Sequence, residues 1–107
     1  MNTLVKSLLL TSGLLVAAAA QAADPAEALA QKSGCLSCHN VQVAVIGPAY
    51  KDVATKYKGD KDAEERLVQK VKKGGSGVWG KMPMPPNSPL VKDEDIRTLV
   101  KWVLSRA

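Results

Sequence analysis

Cys35-Leu36-Ser37-Cys38-His39 decides how the rest of this chain must fold. Two thiols three positions apart, followed at once by an imidazole, form the attachment pattern for c-type haem. One turn of chain carries both thiols to the vinyl groups of a single porphyrin edge. It also leaves His39 beneath the ring plane, where a neutral ring nitrogen can bind iron. Two other readings lose on ligand count and context. A structural zinc site needs about four Cys or His donors, and the chain holds two Cys and one His. A thioredoxin-like dithiol calls for an accompanying βαβ pattern, which the sequence lacks. A plain disulfide would close a very small loop and leave His39 without a role.

The first 22 residues stand apart from the rest. Lys6, the apolar run from Leu8 to Ala20 and the small-residue end Ala20-Gln21-Ala22 make the three regions of a secretory signal peptide. The run is broken by Thr11-Ser12-Gly13 and falls short of the roughly 20 residues that span a bilayer. Cleavage is expected after Ala22, leaving one domain over residues 23–107 in an exported, disulfide-permissive compartment. No cysteine stands at that junction to take a lipid. So small a domain usually needs a staple, and a haem would also supply the apolar surface that two Trp, two Tyr and no Phe cannot.

The formal charge of +5 drops by one when Lys6 is removed. The remaining lysines are spread along the chain without interleaved aromatics, so nucleic acid is not expected as a partner. A solvated surface that steers charged protein partners is the better reading.

Helical signals follow in order. Asp24-Pro25-Ala26-Glu27 reads as a cap, a proline at the first helical position and an acid three residues after the cap, opening a helix to about Ser33. Gly34 ends it, or permits close approach of another helix. Asn40 to Ile46 is too short and irregular for a strand. Pro48 prepares a helix from Ala49 to Tyr57, which Lys58-Gly59-Asp60 breaks. Asp62 to Lys73 is the third, with acids at its start, lysines at its end and Gly74-Gly75 stopping it. Asp93 to Ser105 is the fourth, with Ile96, Leu99, Val100 and Val103 at helical spacing; Trp102 is expected to pack against the first helix. Between them, residues 74–91 carry four prolines and four glycines and must be loop. A loop that long in so small a domain is functional or disordered. The whole is all-α.

His39 is the only histidine, so bis-His ligation cannot arise within one chain. Methionine, lysine, a terminal amine or an open position remain for the sixth site. With Met1 removed, Met82 and Met84 are the methionines left, both in Val78-Trp79-Gly80-Lys81-Met82-Pro83-Met84-Pro85-Pro86-Asn87. Prolines flank Met84 on both sides and make it the better-held candidate. Either methionine could instead fill space beside the haem.

The mature chain resembles the small bacterial monohaem cytochromes c, the cytochrome c-551 (c8) family of class I, over essentially all of residues 23–107. The stretches that carry the resemblance are Gly34 to His39, Gly47-Pro48-Ala49-Tyr50-Lys51-Asp52-Val53-Ala54, Gly77-Val78-Trp79-Gly80, Pro83-Met84-Pro85-Pro86-Asn87 and Lys101-Trp102-Val103-Leu104. The resemblance implies the class I cytochrome c fold, four or five short helices around one covalently bound haem c. It implies thioethers at Cys35 and Cys38, axial ligation by His39 and Met84, a Pro48 carbonyl accepting from the His39 ring, Trp79 donating to a haem propionate, and Asn87 near the methionine sulfur. Lys70 stands where some members have an arginine, the connection through Ser88-Pro89-Leu90-Val91 runs slightly long, and Lys92 replaces a usual serine cap.

With both axial positions filled, the expected role is a periplasmic one-electron carrier, not an enzyme. By resemblance its donor is a quinol-oxidising, cytochrome bc1-type complex, and its acceptor a cd1-type nitrite reductase, an oxidase or a peroxidase. A monomer is expected, docking through an apolar patch of Val41, Val45, Ile46 and Pro85-Pro86 rimmed by lysines. The alternatives are a haem peroxidase or small-gas-binding protein with an open distal site, and a non-haem module with a plain disulfide.

Overall fold

The computed structural model describes residues 12–14 and 24–107; the expected signal peptide and its expected cleavage point lie outside the described residues apart from Ser12-Gly13-Leu14. The order of elements is α1 (Pro25–Lys32), a single 3-10 turn (Cys35–Ser37), α2 (Tyr50–Lys56), α3 (Ala63–Lys73) and α4 (Asp93–Leu104). There is no strand among the described residues; one isolated antiparallel bridge joins Gly75 to Met84. Nor is any helix among them long and apolar enough to cross a membrane.

Each helix starts and stops for local reasons. The Asp24 carboxylate accepts from the Ala26 N–H at 2.9 Å, and Pro25 occupies the first helical position, where a missing N–H costs nothing. α2 opens without a side-chain cap from an extended Ala49, just beyond Pro48. Lys92 likewise caps nothing at α4, where Asp93, Glu94 and Asp95 fill the first turn and complement the helix dipole instead. Gly34, at φ 82°, turns the chain out of α1 into the 3-10 turn. A Cβ on it would meet nothing within 4 Å, so the turn and not helix crossing explains this glycine.

α4 is the centre of the packing and lies against α1, α2 and α3. Leu99 and Trp102 meet Ala26 and Ala30 of α1 and Tyr50 of α2 in one cluster; Ile96 and Val100 meet Val68 of α3 in the other. Trp102 is thus packed against the first helix, as its spacing predicts, with its ring at 5.6 Å and nearly perpendicular to that of Tyr50. Full burial of Ile96 contributes on the order of 2 kcal/mol. Beyond the core, Arg97 of α4 bridges to Glu64 (3.0 Å) and Glu65 (2.8 Å) of α3, and Lys72 to Asp93 (2.8 Å). Among the described residues, five of the twelve buried apolar residues are alanines. A core that lean leaves the faces of α2, α3 and α4 that point away from it short of apolar contact.

Candidate metal centre

Those faces enclose a cavity of about 1180 Å³, open mouth included. Cys35, Cys38, His39 and Pro48 line one part of its wall, and Trp79, Met82 and Met84 line another. Leu67, Val71, Leu99, Val100 and Val103 supply an apolar floor from α3 and α4. Asn87 is not in the wall. Its side-chain amide donates to the carbonyls of Val71 (3.2 Å) and Pro85 (3.3 Å), fastening the loop from behind.

The wall bearing the thiols is built by short-range turns. The N–H groups of Cys38 and His39 both donate to the Cys35 carbonyl, at 3.2 and 3.0 Å, which brings Cys35, Cys38 and His39 to one side of the turn. The chain then loops out through Val43, Val45 and Ile46, all more than half exposed. Asn40 shapes this loop by accepting from the N–H groups of Gln42 and Val43. Val41 is the exception to the expected apolar patch, because it packs against the α1–α4 cluster while Val43 takes its place at the surface.

His39 is held on three sides. Its Nδ1 lies 2.8 Å from the Pro48 carbonyl oxygen, which can only accept, so Nδ1 is the donor and Nε2 is the ring nitrogen left for a metal. The Tyr50 ring stacks on it at 4.8 Å with 20° between planes. A Cβ on Gly47 would come within 2.5 Å of the ring carbon Cε1, so no side chain fits there. Sequence reasoning gave Tyr50 and Gly47 no role; the adjacency of Gly47-Pro48 and Tyr50 in one tetrapeptide is the signal that could have found them.

Both cysteines are free and half-buried. Burial pushes the Cys35 thiol above its ordinary value against the opposing pull of the Tyr50 hydroxyl, and burial pushes Tyr50 up as well. A redox dithiol needs the reverse, a thiol lowered toward neutrality. Two free thiols beside an imidazole whose Nδ1 is engaged by Pro48 do fit a covalently attached metalloporphyrin.

On the other side, Met84 is fixed through its backbone. Gly75 N–H donates to the Met84 carbonyl at 3.0 Å and Met84 N–H to the Gly75 carbonyl at 2.9 Å. Met82 sits in the same wall but is 68% exposed, at the mouth. Trp79 stands at the mouth too, with the Lys56 ammonium 5.6 Å from its ring centroid, and Lys70 contributes a cation to the lining. A soft sulfur donor and an imidazole lining one apolar cavity suit iron.

The comparisons with known proteins agree with this chemistry. The cytochrome c family pattern matches residues 23–107. Cytochrome c-551 of Pseudomonas aeruginosa is 50% identical over 98 residues, covering 92% of this chain and 91% of that protein. Cytochrome c-551 of Allochromatium vinosum is 60% identical over 76 residues, covering 71% and 80%. Among solved structures, the crystal structure of cytochrome c552 from Nitrosomonas europaea is similar with a TM-score of 0.72 at 47% identity, covering 76% of this chain and 99% of that one.

Proposed function

The chain belongs to the cytochrome c family, and from that premise we propose that it is a periplasmic one-electron carrier whose iron is ligated by His39 and Met84. The cofactor of this family is covalently attached haem c. The observation that carries the reading is the pairing of His39 and Met84 in the wall of one apolar cavity, with two free thiols beside the histidine.

Cys35 and Cys38 would hold the porphyrin by thioether bonds. When bound, the haem supplies an iron that cycles between Fe(II) and Fe(III). Everything else is done by the chain. Pro48 fixes the His39 tautomer so that Nε2 faces the metal, and Tyr50 and Gly47 fix the ring's angle. The prolines around Met84 stiffen the loop, so little entropy is lost when the sulfur is held. The apolar floor from α3 and α4 excludes water, and ligation by a thioether together with an imidazole would raise the potential of the bound haem. Trp79 and Lys70 stand at the mouth where propionates would emerge, and Asn87, tied to the Val71 and Pro85 carbonyls, would stand near the methionine sulfur.

Electrons enter and leave through the exposed edge beside Val43, Val45 and Ile46. Contacts there are small and short-lived, with surrounding lysines setting on-rates. The partners are a quinol-oxidising complex as donor and a terminal reductase or oxidase as acceptor, and the carrier works as a monomer once residues 1–22 are removed.

Met84→Ala tests the assignment. The potential should fall by on the order of hundreds of millivolts, within the roughly 0.8 V that axial ligands command, and the reduced protein should gain rapid carbon monoxide binding. Met82→Ala should change neither. The opposite pattern would transfer the ligand role to Met82.

A further inference from the structure

We propose that Gly74 and Gly75, the pair that ends α3, are the positioning residues for the Met84 thioether and thereby set whether the sixth iron position is closed. The inference rests on the reading of Met84 as an iron ligand and adds the device that places it.

Gly74 is the last residue tied into the helical ladder, its N–H donating to the Lys70 carbonyl at 2.7 Å. It adopts φ 69° with ψ −161°, a combination open essentially to glycine alone. A Cβ here would fall 2.3 Å from the Met84 carbonyl oxygen and 2.9 Å from both Pro85 C and Pro86 N. All three are main-chain atoms, with no flexible end to move aside. The ligand loop therefore lies directly on the bare backbone of Gly74.

The hydrogen bonds run the same way. Gly75 exchanges both of its backbone bonds with Met84, Asn87 N–H donates to Val71 O at 3.0 Å, and Ser88 N–H to Lys72 O at 3.3 Å. Residues 84–88 are laced to residues 71–75, while the intervening Val78 and Met82 are more than half exposed. Within Pro83-Met84-Pro85-Pro86, Met84 carries the one main-chain N–H, since proline has none. The register against Gly75 is thus limited to a single donor in that stretch. The position of the sulfur is set from α3, which is itself tied to α4 through Arg97 and Lys72.

Gly59 provides the matched control. It has φ 79° on the α2–α3 turn, and a Cβ there would meet nothing within 4 Å. Gly59→Ala therefore incurs comparable backbone strain without touching the ligand loop. The experiment uses the full chain matured with haem-attachment machinery, comparing wild type, Gly74→Ala and Gly59→Ala. Two properties are read: the weak sulfur-to-iron charge-transfer band of the oxidised form, and the affinity of the oxidised iron for added imidazole. Apparent affinity scales with the fraction of molecules whose sixth position is open. Gly74→Ala should lose most of the band and bind imidazole at least about tenfold tighter, while Gly59→Ala matches wild type.

If Gly74→Ala yields no holoprotein, Gly75→Ala carries the same test. Its φ of 128° excludes alanine, yet its Cβ would meet only the mobile Lys70 ammonium, at 3.1 Å, so the bridge is disturbed without a collision. A glycine variant that keeps the band and an imidazole affinity within about twofold of Gly59→Ala overturns the positioning role. A wild-type protein without the band fails earlier, at the Met84 assignment itself.

Discussion

His39 shows how much of a metal site can rest on one small residue nearby. Its ring is bonded through Nδ1, stacked by Tyr50 and pressed against a glycine that cannot become anything larger. Gly47→Ala places a methyl 2.5 Å from Cε1, and the ring or the loop must move. Overpacking of this kind costs about 1–3 kcal/mol, to be read as a lowered denaturant midpoint of the haem-loaded protein. A variant within about 0.5 kcal/mol of wild type, the range of ordinary surface substitutions, would mean that the ring is not packed on Gly47 in solution. The five residues from Cys35 to His39 are legible in the sequence because their chemistry is contained in one turn of chain. Gly47 and Gly74 are not. Each is a glycine on account of an atom eight to ten positions away, and that proximity exists only after the loop has closed. Asn87 carries a link that its place in the motif does not spell out: its amide donates to the Val71 and Pro85 carbonyls.

At the scale of elements, the helices are legible because their ends are written in cap, proline and glycine residues and their faces in apolar spacing. α4 alternates Ile96, Leu99, Val100 and Val103 onto the core side, and the structure uses the first three as buried core. What the spacing does not carry is which helix pairs with which. The Arg97 bridges to Glu64 and Glu65 settle how α3 and α4 face each other. The Arg97 hydrogen bond, helped by Gln69, holds the Glu65 carboxyl below its ordinary value. A carboxyl depressed by folding adds stability above its unfolded pKa, and loses it as pH falls through the lower folded value. Arg97→Met should therefore be less stable than wild type at neutral pH, with the gap narrowing on acidification through the carboxylate range. Added salt should narrow it too, since both groups are exposed. Urea midpoints across a pH series measure this; a gap independent of pH and salt would assign Arg97's effect to packing of its stem.

Taken whole, the molecule is a helical shell with little interior of its own. Among the described residues twelve apolar residues are buried, five of them alanine, and Tyr50, Val53, Leu99 and Val100 of that core also line the apolar cavity. The sequence announces this arrangement through its shortage of aromatics and its covalent attachment motif. It does not announce the cavity's walls, which come from five separate segments, 35–39, 46–57, 67–71, 75–85 and 99–103. Those segments place an imidazole and a thioether, each held by backbone, in one enclosure with two thiols. The visible spectrum of the full chain, purified from a periplasm that attaches haem, tests this most directly. The account predicts the α band of a low-spin c-type haem on reduction and the sulfur-to-iron band on oxidation. Haem without the sulfur band would contradict the closed His39–Met84 site, and a colourless protein would contradict the account altogether.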